Sequence, residues 1–225
     1  MIKELFQKLL IKSGKLYKID TRIPNSLFIQ MLIDRLIMMI RGIFLVRNKI
    51  FLGKNCSIKN KRNIVFGKNV TIEKYTTIDG YALAKLEFGD GSRIGAYSLV
   101  TCTSHLSNYG KGIKIGSNSA IGQFSEFGAA GGIEIGNDVI MGSYISFHSE
   151  NHNFSDTTKL IREQGVTHLG IKLGNNIWVG SKVTFLDGTI IGNNSVVASG
   201  AVVRGVFPDN VVIGGVPAKI IKTID

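Results

Sequence analysis

Leu173-Gly174-Asn175-Asn176-Ile177-Trp178-Val179-Gly180-Ser181-Lys182-Val183-Thr184-Phe185 states one short phrase twice. An aliphatic residue is followed by Gly, two variable residues, a small or aliphatic residue and one more. Further copies start at Ile94-Gly95, Ile115-Gly116, Ile121-Gly122, Ile135-Gly136 and Ile191-Gly192. Inside each run the spacing is six residues, as in Phe88, Ile94, Val100 and in Ile135, Met141, Phe147. Such a period is too short for a helical repeat unit and too regular for a sandwich. It is the period of a parallel β-helix, in which each hexad is one flat face of a triangular coil. Three hexads make a coil of about eighteen residues, with the aliphatic residue pointing inward and stacking on its copies about 4.8 Å above and below. The repeats begin near Phe51, irregularly at first, and run to Val203; Val206–Asp225 closes the array.

The remaining composition agrees. A chain of 225 residues with 44% hydrophobic residues is long enough to bury a full core. Gly at 27 against only 3 Pro suits a fold that turns a corner every few residues. Cys56 and Cys102 are too few for a disulfide framework and read as buried thiols in a reducing compartment. No charged start followed by an apolar stretch and a small-residue cleavage site opens the chain, which argues against a secretory signal.

The net charge of +11 is concentrated at one end. Residues 1–62 carry 14 Lys and Arg against Glu4, Asp20 and Asp34, whereas residues 63–225 carry 13 of each sign. A neutral repeat body argues against nucleic acid as the main partner. A basic arm argues for an anionic surface, membrane or phosphate-rich. Residues 1–50 read as a basic helical segment and residues 51–225 as the repeat domain. Pro24-Asn25-Ser26 offers a stop and a new N-cap, and 26–46 reads as an amphipathic helix with a very wide apolar face. It has the length of a membrane span, but Asp34, Arg35 and Arg41 in its middle make spanning expensive. Two readings stay open: packing on the coil body or a neighbouring subunit, or peripheral association of residues 1–46 with an anionic membrane. Two segments interrupt the hexads, Ser104–Gly112 and residues 148–170. A long loop ejected from a regular solenoid points to function.

Asn151-His152, Gln164-Gly165, Trp178-Val179-Gly180 and Val216-Pro217-Ala218-Lys219, in this order, resemble the hexapeptide-repeat acyltransferases with a left-handed β-helix. Within them the chain is most similar to the maltose/galactoside acetyltransferase-like branch, which includes O-acetyltransferases of capsule, O-antigen and exopolysaccharide synthesis and the streptogramin acetyltransferases. The resemblance covers about residues 51–222 and implies an all-β left-handed coil, acetyl-CoA as co-substrate without a required metal, a homotrimer and a cytoplasmic enzyme. It also assigns roles. His152 matches the family's general base, needed because a sugar hydroxyl is too weakly acidic to attack a thioester unaided. Ser181 matches the position whose backbone N–H binds the oxyanion, and Trp178 the Trp beside the acetyl end. Gly180, Ala198 and Ser199 suit pantetheine, and Arg204 and Lys219 suit the phosphates. His148 is a second candidate base or a substrate contact. Glu150, Glu126 or a backbone carbonyl are candidates to orient the base, and Gln123 falls about where some relatives bind substrate. His105 and His168 read as structural.

The implied activity is O-acetylation of a sugar hydroxyl on a polysaccharide, a lipid-linked glycan or a precursor. A small acceptor, such as a streptogramin, free sugar or nucleotide amino sugar, is the alternative. A more distant reading is a γ-class carbonic anhydrase-like metalloenzyme using His148 and His152, but that family spaces its paired His one residue wider and His105 fits poorly as a third ligand. A non-enzymatic scaffold or lipid-surface protein on a decayed β-helix is the remaining reading, and the intact His loop counts against it.

Overall fold

The structure is a computed structural model that describes residues 2–12, 18–103 and 105–225. Ser104, the first residue of the shorter interruption, and residues 13–17 of the basic lead lie outside them. The hexads form a left-handed parallel β-helix of three sheets. Sheet A runs from Phe51–Leu52 through Ile140–Met141 and Trp178–Val179 to Val211–Gly215. Sheet B runs from Ser57–Lys59 through Ser146–His148 and Thr184–Leu186 to Val202–Val203. Sheet C runs from Ile64–Phe66 through Ile133–Ile135 and Ile171–Leu173 to Val206–Phe207. One passage through A, B and C is one coil. Trp178 pairs with Val196, eighteen residues on, but Ala120 pairs with Ile140, twenty on. The period is therefore the expected one only in the most regular coil.

The interior is filled by the residue that opens each hexad. Ile94, Ile121, Val179 and Val197 stack along sheet A, and Ile115, Ile135, Leu173 and Ile191 along sheet C, all buried. Sheet B carries the largest inward groups. Phe127, Phe147 and Phe185 lie in register and stack with ring centroids 4.8 and 4.9 Å apart. That spacing is the distance between parallel strands, so the backbone ladder sets the stacking distance of the rings.

The corners explain the rest of the phrase. Between sheets C and A, the side-chain oxygen of Asn137 accepts the Ser117 N–H, Asn175 that of Asn137, Asn193 that of Asn175, and Asp209 that of Asn193, at 2.7–2.8 Å. The next residue, Asn118, Asp138, Asn176, Asn194 or Asn210, is left-handed, a conformation that Asn and Asp tolerate. The preceding Gly admits no side chain: a Cβ on Gly116 would lie 2.4 Å from the Gly136 carbonyl oxygen, and one on Gly136 as close to that of Gly174. The corner between sheets A and B is built differently. Tyr75, Tyr97, Phe124 and Tyr144 are left-handed there, and their half-exposed rings stack 4.9–5.0 Å apart into an external ladder.

The ends are closed by non-repeating structure. Ala218–Thr223 turns back antiparallel on Val211–Gly215 and covers the last edge of sheet A. At the other end α1 (Ile2–Lys12) and α2 (Asn25–Arg41) precede the first coil. The expected 26–46 helix ends at Arg41 and widens into a π-type turn over Gly42–Val46. Pro24 takes the N-cap position and no side chain caps α2, so the expected cap from Asn25-Ser26 is not made. Both cysteines are free thiols. Cys102 is buried, and burial pushes its thiol up to about 12; Cys56 is half-buried and raised for the same reason.

Phe147 is fully buried between two rings, so Phe147→Ala leaves a cavity that the rigid coil cannot close. The expected loss is about 3–5 kcal/mol, read from the midpoint of chemical denaturation.

Candidate active site

The coil places the expected site residues on the two long edges of sheet B. The first edge is the corner between sheets A and B. Gly142-Ser143, Gly180-Ser181 and Ala198-Ser199 stack there in consecutive coils, held by Gly142 N–H to Val179 O and Gly180 N–H to Val197 O. The approach is close: a Cβ on Gly180 would lie 2.5 Å from the Ser199 nitrogen, and one on Gly142 2.7 Å from that of Ser181. The result is a column of small residues in which Ser181 and Ser199 are exposed. The Ser143 N–H donates to Ser181 Oγ at 3.3 Å, whereas the Ser181 and Ser199 amides have no acceptor among the described residues. Trp178 stands on the adjoining face of sheet A, 62% exposed, between Ile140 and Val196. Lys219 lies on the closing hairpin of that sheet, opposite Gly214. Below the column a shallow groove is lined by Gly122, Gln123, Met141 and Ser143, and ends at the Arg93–Glu73 ion pair, 2.9 Å long. Gln123 thus shares the Ser181 column.

The second edge is the corner between sheets B and C, where the fifth coil ejects residues 148–170. Asn151–His152 and Val166–Thr167 form an antiparallel pair, with Asn151 opposite Thr167 and His152 opposite Val166. The loop beyond them braces itself: the Gln164 side chain donates to Asp156 O and Lys159 O and accepts the Asp156 N–H, and Asn153 donates to Gln164 O. Thr158, through its hydroxyl and its amide, holds the Asp156 carboxyl below the usual carboxylate range, helped by Lys159.

The return strand is tied to the coil by Asp187, a fully buried carboxylate. It accepts the N–H of Gly170 at 2.7 Å and of Leu169 at 3.1 Å, and the Thr167 hydroxyl at 3.1 Å. Beside it, His168 Nε2 lies 2.6 Å from Glu150 Oε2 and 2.8 Å from the Asn108 amide group. A ring N–H that donates to the carboxylate requires the Asn108 oxygen, not its NH₂, on the shared side. Lys111 Nζ donates to His168 O at 2.9 Å. His168 therefore joins the two interruptions of the coil at the base of the hairpin that presents His152.

These contacts correct several expectations. Glu150 does not orient His152, because its carboxylate is engaged by His168. Glu126 lies on the outer face of sheet B in register with Leu99 and Ser146, and makes no hydrogen bond to the hairpin. The exposed His152 ring has no hydrogen-bond partner among the described residues. His148 is not on the hairpin; it faces outward from sheet B between Gly128 and Leu186. Arg204 follows Val202–Val203 and sits on the edge of the His152 loop, away from Lys219. His168, read from the sequence as structural, contacts Glu150 and Asn108. The described residues contain no group of three metal-ligating side chains.

Comparison with known proteins agrees with this architecture. Residues 170–205 match the bacterial transferase hexapeptide repeat (six repeats). The chain is 33% identical over 162 residues to a Mycobacterium tuberculosis protein named probable acetyltransferase, covering 72% of this chain and 50% of that protein. It is 29% identical to WbbJ of Escherichia coli, assigned to lipopolysaccharide biosynthesis as an O-acetyl transferase, over 74% of this chain and 75% of WbbJ. It is 33% identical to the Escherichia coli galactoside O-acetyltransferase over 41% of this chain and 45% of that enzyme. The chain thus spans about half the length of the first and third of these. A hexapeptide-repeat acetyltransferase of Vibrio cholerae, solved with acetyl coenzyme A, superposes with a TM-score of 0.53 at 27% identity, covering 61% of this chain and 70% of that one. The chain is thus similar in sequence and fold to the hexapeptide-repeat, left-handed β-helix acyltransferases.

The hairpin ties predict a local effect. His168→Ala frees Glu150 and Asn108, so amide exchange across 150–153 and 165–168 quickens at least about tenfold while that of the sheet strands is unchanged, read by hydrogen exchange.

Proposed function

We propose that the chain is an acetyl-CoA-dependent O-acetyltransferase acting on a sugar hydroxyl, with His152 as general base. One observation carries this reading: an unengaged backbone N–H at Ser181, in a column of small residues, together with an unengaged imidazole at His152 on an ejected loop. His152 takes the proton of the acceptor hydroxyl as its oxygen bonds to the thioester carbonyl carbon. The Ser181 N–H donates to the oxyanion so formed. Collapse breaks the carbon–sulfur bond, and the imidazolium returns its proton to the departing thiolate. The products are an O-acetyl ester and free coenzyme A.

The two halves of this machinery stand on opposite edges of sheet B. A three-residue strand separates them by about 10 Å within one chain. A groove between two copies, with the small-residue column of one facing the His152 loop of the next, brings them together. Repeated head to tail, that contact closes a ring, which supports a homotrimer. Trp178 and Lys219 then meet the coenzyme from one copy and Arg204 from its neighbour. Light scattering is expected to give three times the chain mass of 24.5 kDa.

The acceptor class rests on similarity to WbbJ along most of both chains, which supports a polysaccharide or lipid-linked glycan in a capsule or O-antigen type of synthesis. Similarity to galactoside O-acetyltransferase supports a small sugar as the second reading. Thiol release from acetyl-CoA with a panel of glycans, free sugars and nucleotide sugars separates them. In that assay His152→Ala is expected to lower turnover about 10²–10⁴-fold while acetyl-CoA binding by calorimetry is retained. Lys219→Ala is expected to raise KM for acetyl-CoA and spare kcat. Near-native turnover in His152→Ala contradicts the assignment of the base.

A further inference from the structure

The helix α2 points its two cations at the coil. Arg35 Nη1 donates to Thr71 Oγ1 at 2.9 Å, with its guanidinium 4.6 Å over the Phe51 ring, and Arg41 Nη1 donates to Leu52 O at 3.1 Å. Both cations thus serve the first two coils. Asp34 is met by Gln30 one turn before it, at 3.0 Å. Phe28 packs edge-on against Phe6 of α1, and Gly42 seats the end of the helix on Ile50, leaving no room for a Cβ. With its two cations held by the coil and Asp34 exposed beside Gln30, α2 presents Ile33, Leu36, Ile37 and Ile40 outward at helical spacing, each more than 40% exposed. The turn after it continues the surface with Phe44, 78% exposed, and Leu45, 56% exposed. A face of this kind needs an occupant.

Charge decides which. Residues 1–62 carry the whole net charge of +11, and residues 63–225 carry none. A second copy of the chain offers this face either another strongly cationic arm or a neutral body, so neither is complementary. Cations border the apolar end of the face: Arg47 and Lys49 are exposed just beyond it, and Lys61 Nζ donates to Leu45 O. An apolar stripe with Phe at its tip and Lys and Arg at its margin fits the interface of an anionic bilayer, apolar groups in the acyl boundary and cations among the headgroups. No helix among the described residues is long and apolar enough to cross a membrane. We infer that α2 and the turn over Gly42–Val46 lie flat in the surface of an anionic lipid bilayer and hold the first coil against it. This stands apart from the proposed chemistry, which uses only the coil.

Sedimentation of the full chain with phosphatidylcholine vesicles, with and without phosphatidylglycerol, tests the inference. Binding is expected only with the anionic lipid, and it weakens as salt is raised. The double variant Ile40→Ser, Phe44→Ser removes exposed groups and is expected to lower vesicle binding at least about tenfold while thiol release and the light-scattering mass stay unchanged. Arg47→Glu with Lys49→Glu is expected to do the same through the charge. Failure of the native chain to bind anionic vesicles overturns the inference. So does a change of mass in the apolar variant, which places the face between copies. Unchanged vesicle binding in that variant, with loss only in the charge variant, leaves a polyanion site without insertion and overturns it too.

Discussion

Everything in this molecule follows from a parallel backbone ladder that allows no slack between coils. Parallel strands lie about 4.8 Å apart, and the corners approach more closely than a Cβ permits, as at Gly136 and Gly180. The inward residue must then stack on its own copy, which is why Phe147 meets Phe127 and Phe185. The same constraint forces the Gly-Asn-Asn phrase: the Gly removes the collision, the first Asn accepts the N–H of the coil before, and the second adopts the left-handed turn. The His152 hairpin interrupts this frame. At the corner between sheets A and B the amides of Gln123, Ser181 and Ser199 have no acceptor among the described residues, and that of Ser143 donates to Ser181 Oγ.

The hairpin is held by polar groups that the coil would otherwise have no reason to bury. Asp187 sets a carboxylate at a corner where the coil before it has Ser149, and satisfies it with two backbone amides and a hydroxyl. A buried acceptor with several donors resists movement, since losing one leaves an unpaired charge. Glu150, His168 and Asn108 add a second tie between the two interruptions. An exposed imidazole on a long loop is thereby presented from a fixed base.

Much of this was legible in the sequence, for a physical reason. The hexad states every inward position, so the coil, its faces and its interruptions follow from residue spacing alone. Ser181, Trp178 and Ser199 could be placed because they occupy fixed hexad positions. Glu150, Glu126 and a backbone carbonyl stay open in the sequence as partners of His152 because loop pairing has no period: only the register of Asn151 with Thr167 shows that Glu150 falls beside His168. Asp187 was missed although Leu186-Asp187-Gly188-Thr189 sets a carboxylate at a corner where the two preceding coils carry Ala129 and Ser149. The direction of Arg35 and Arg41 was equally hidden, since a helical pattern gives the stripe and not the neighbour it faces.

The central claim is that one active site draws His152 from one copy and the Ser181–Ser199 column from the next. Mixed oligomers of His152→Ala and Ser199→Trp test it directly. Each variant alone lacks one half of every site and is expected to be inactive. Oligomers assembled from both contain a groove in which the intact column of the first variant faces the intact loop of the second. Recovery of acetyl transfer on mixing is the result this account predicts. No recovery, with mixed assembly verified by mass, would mean that both halves act within one chain and would contradict it.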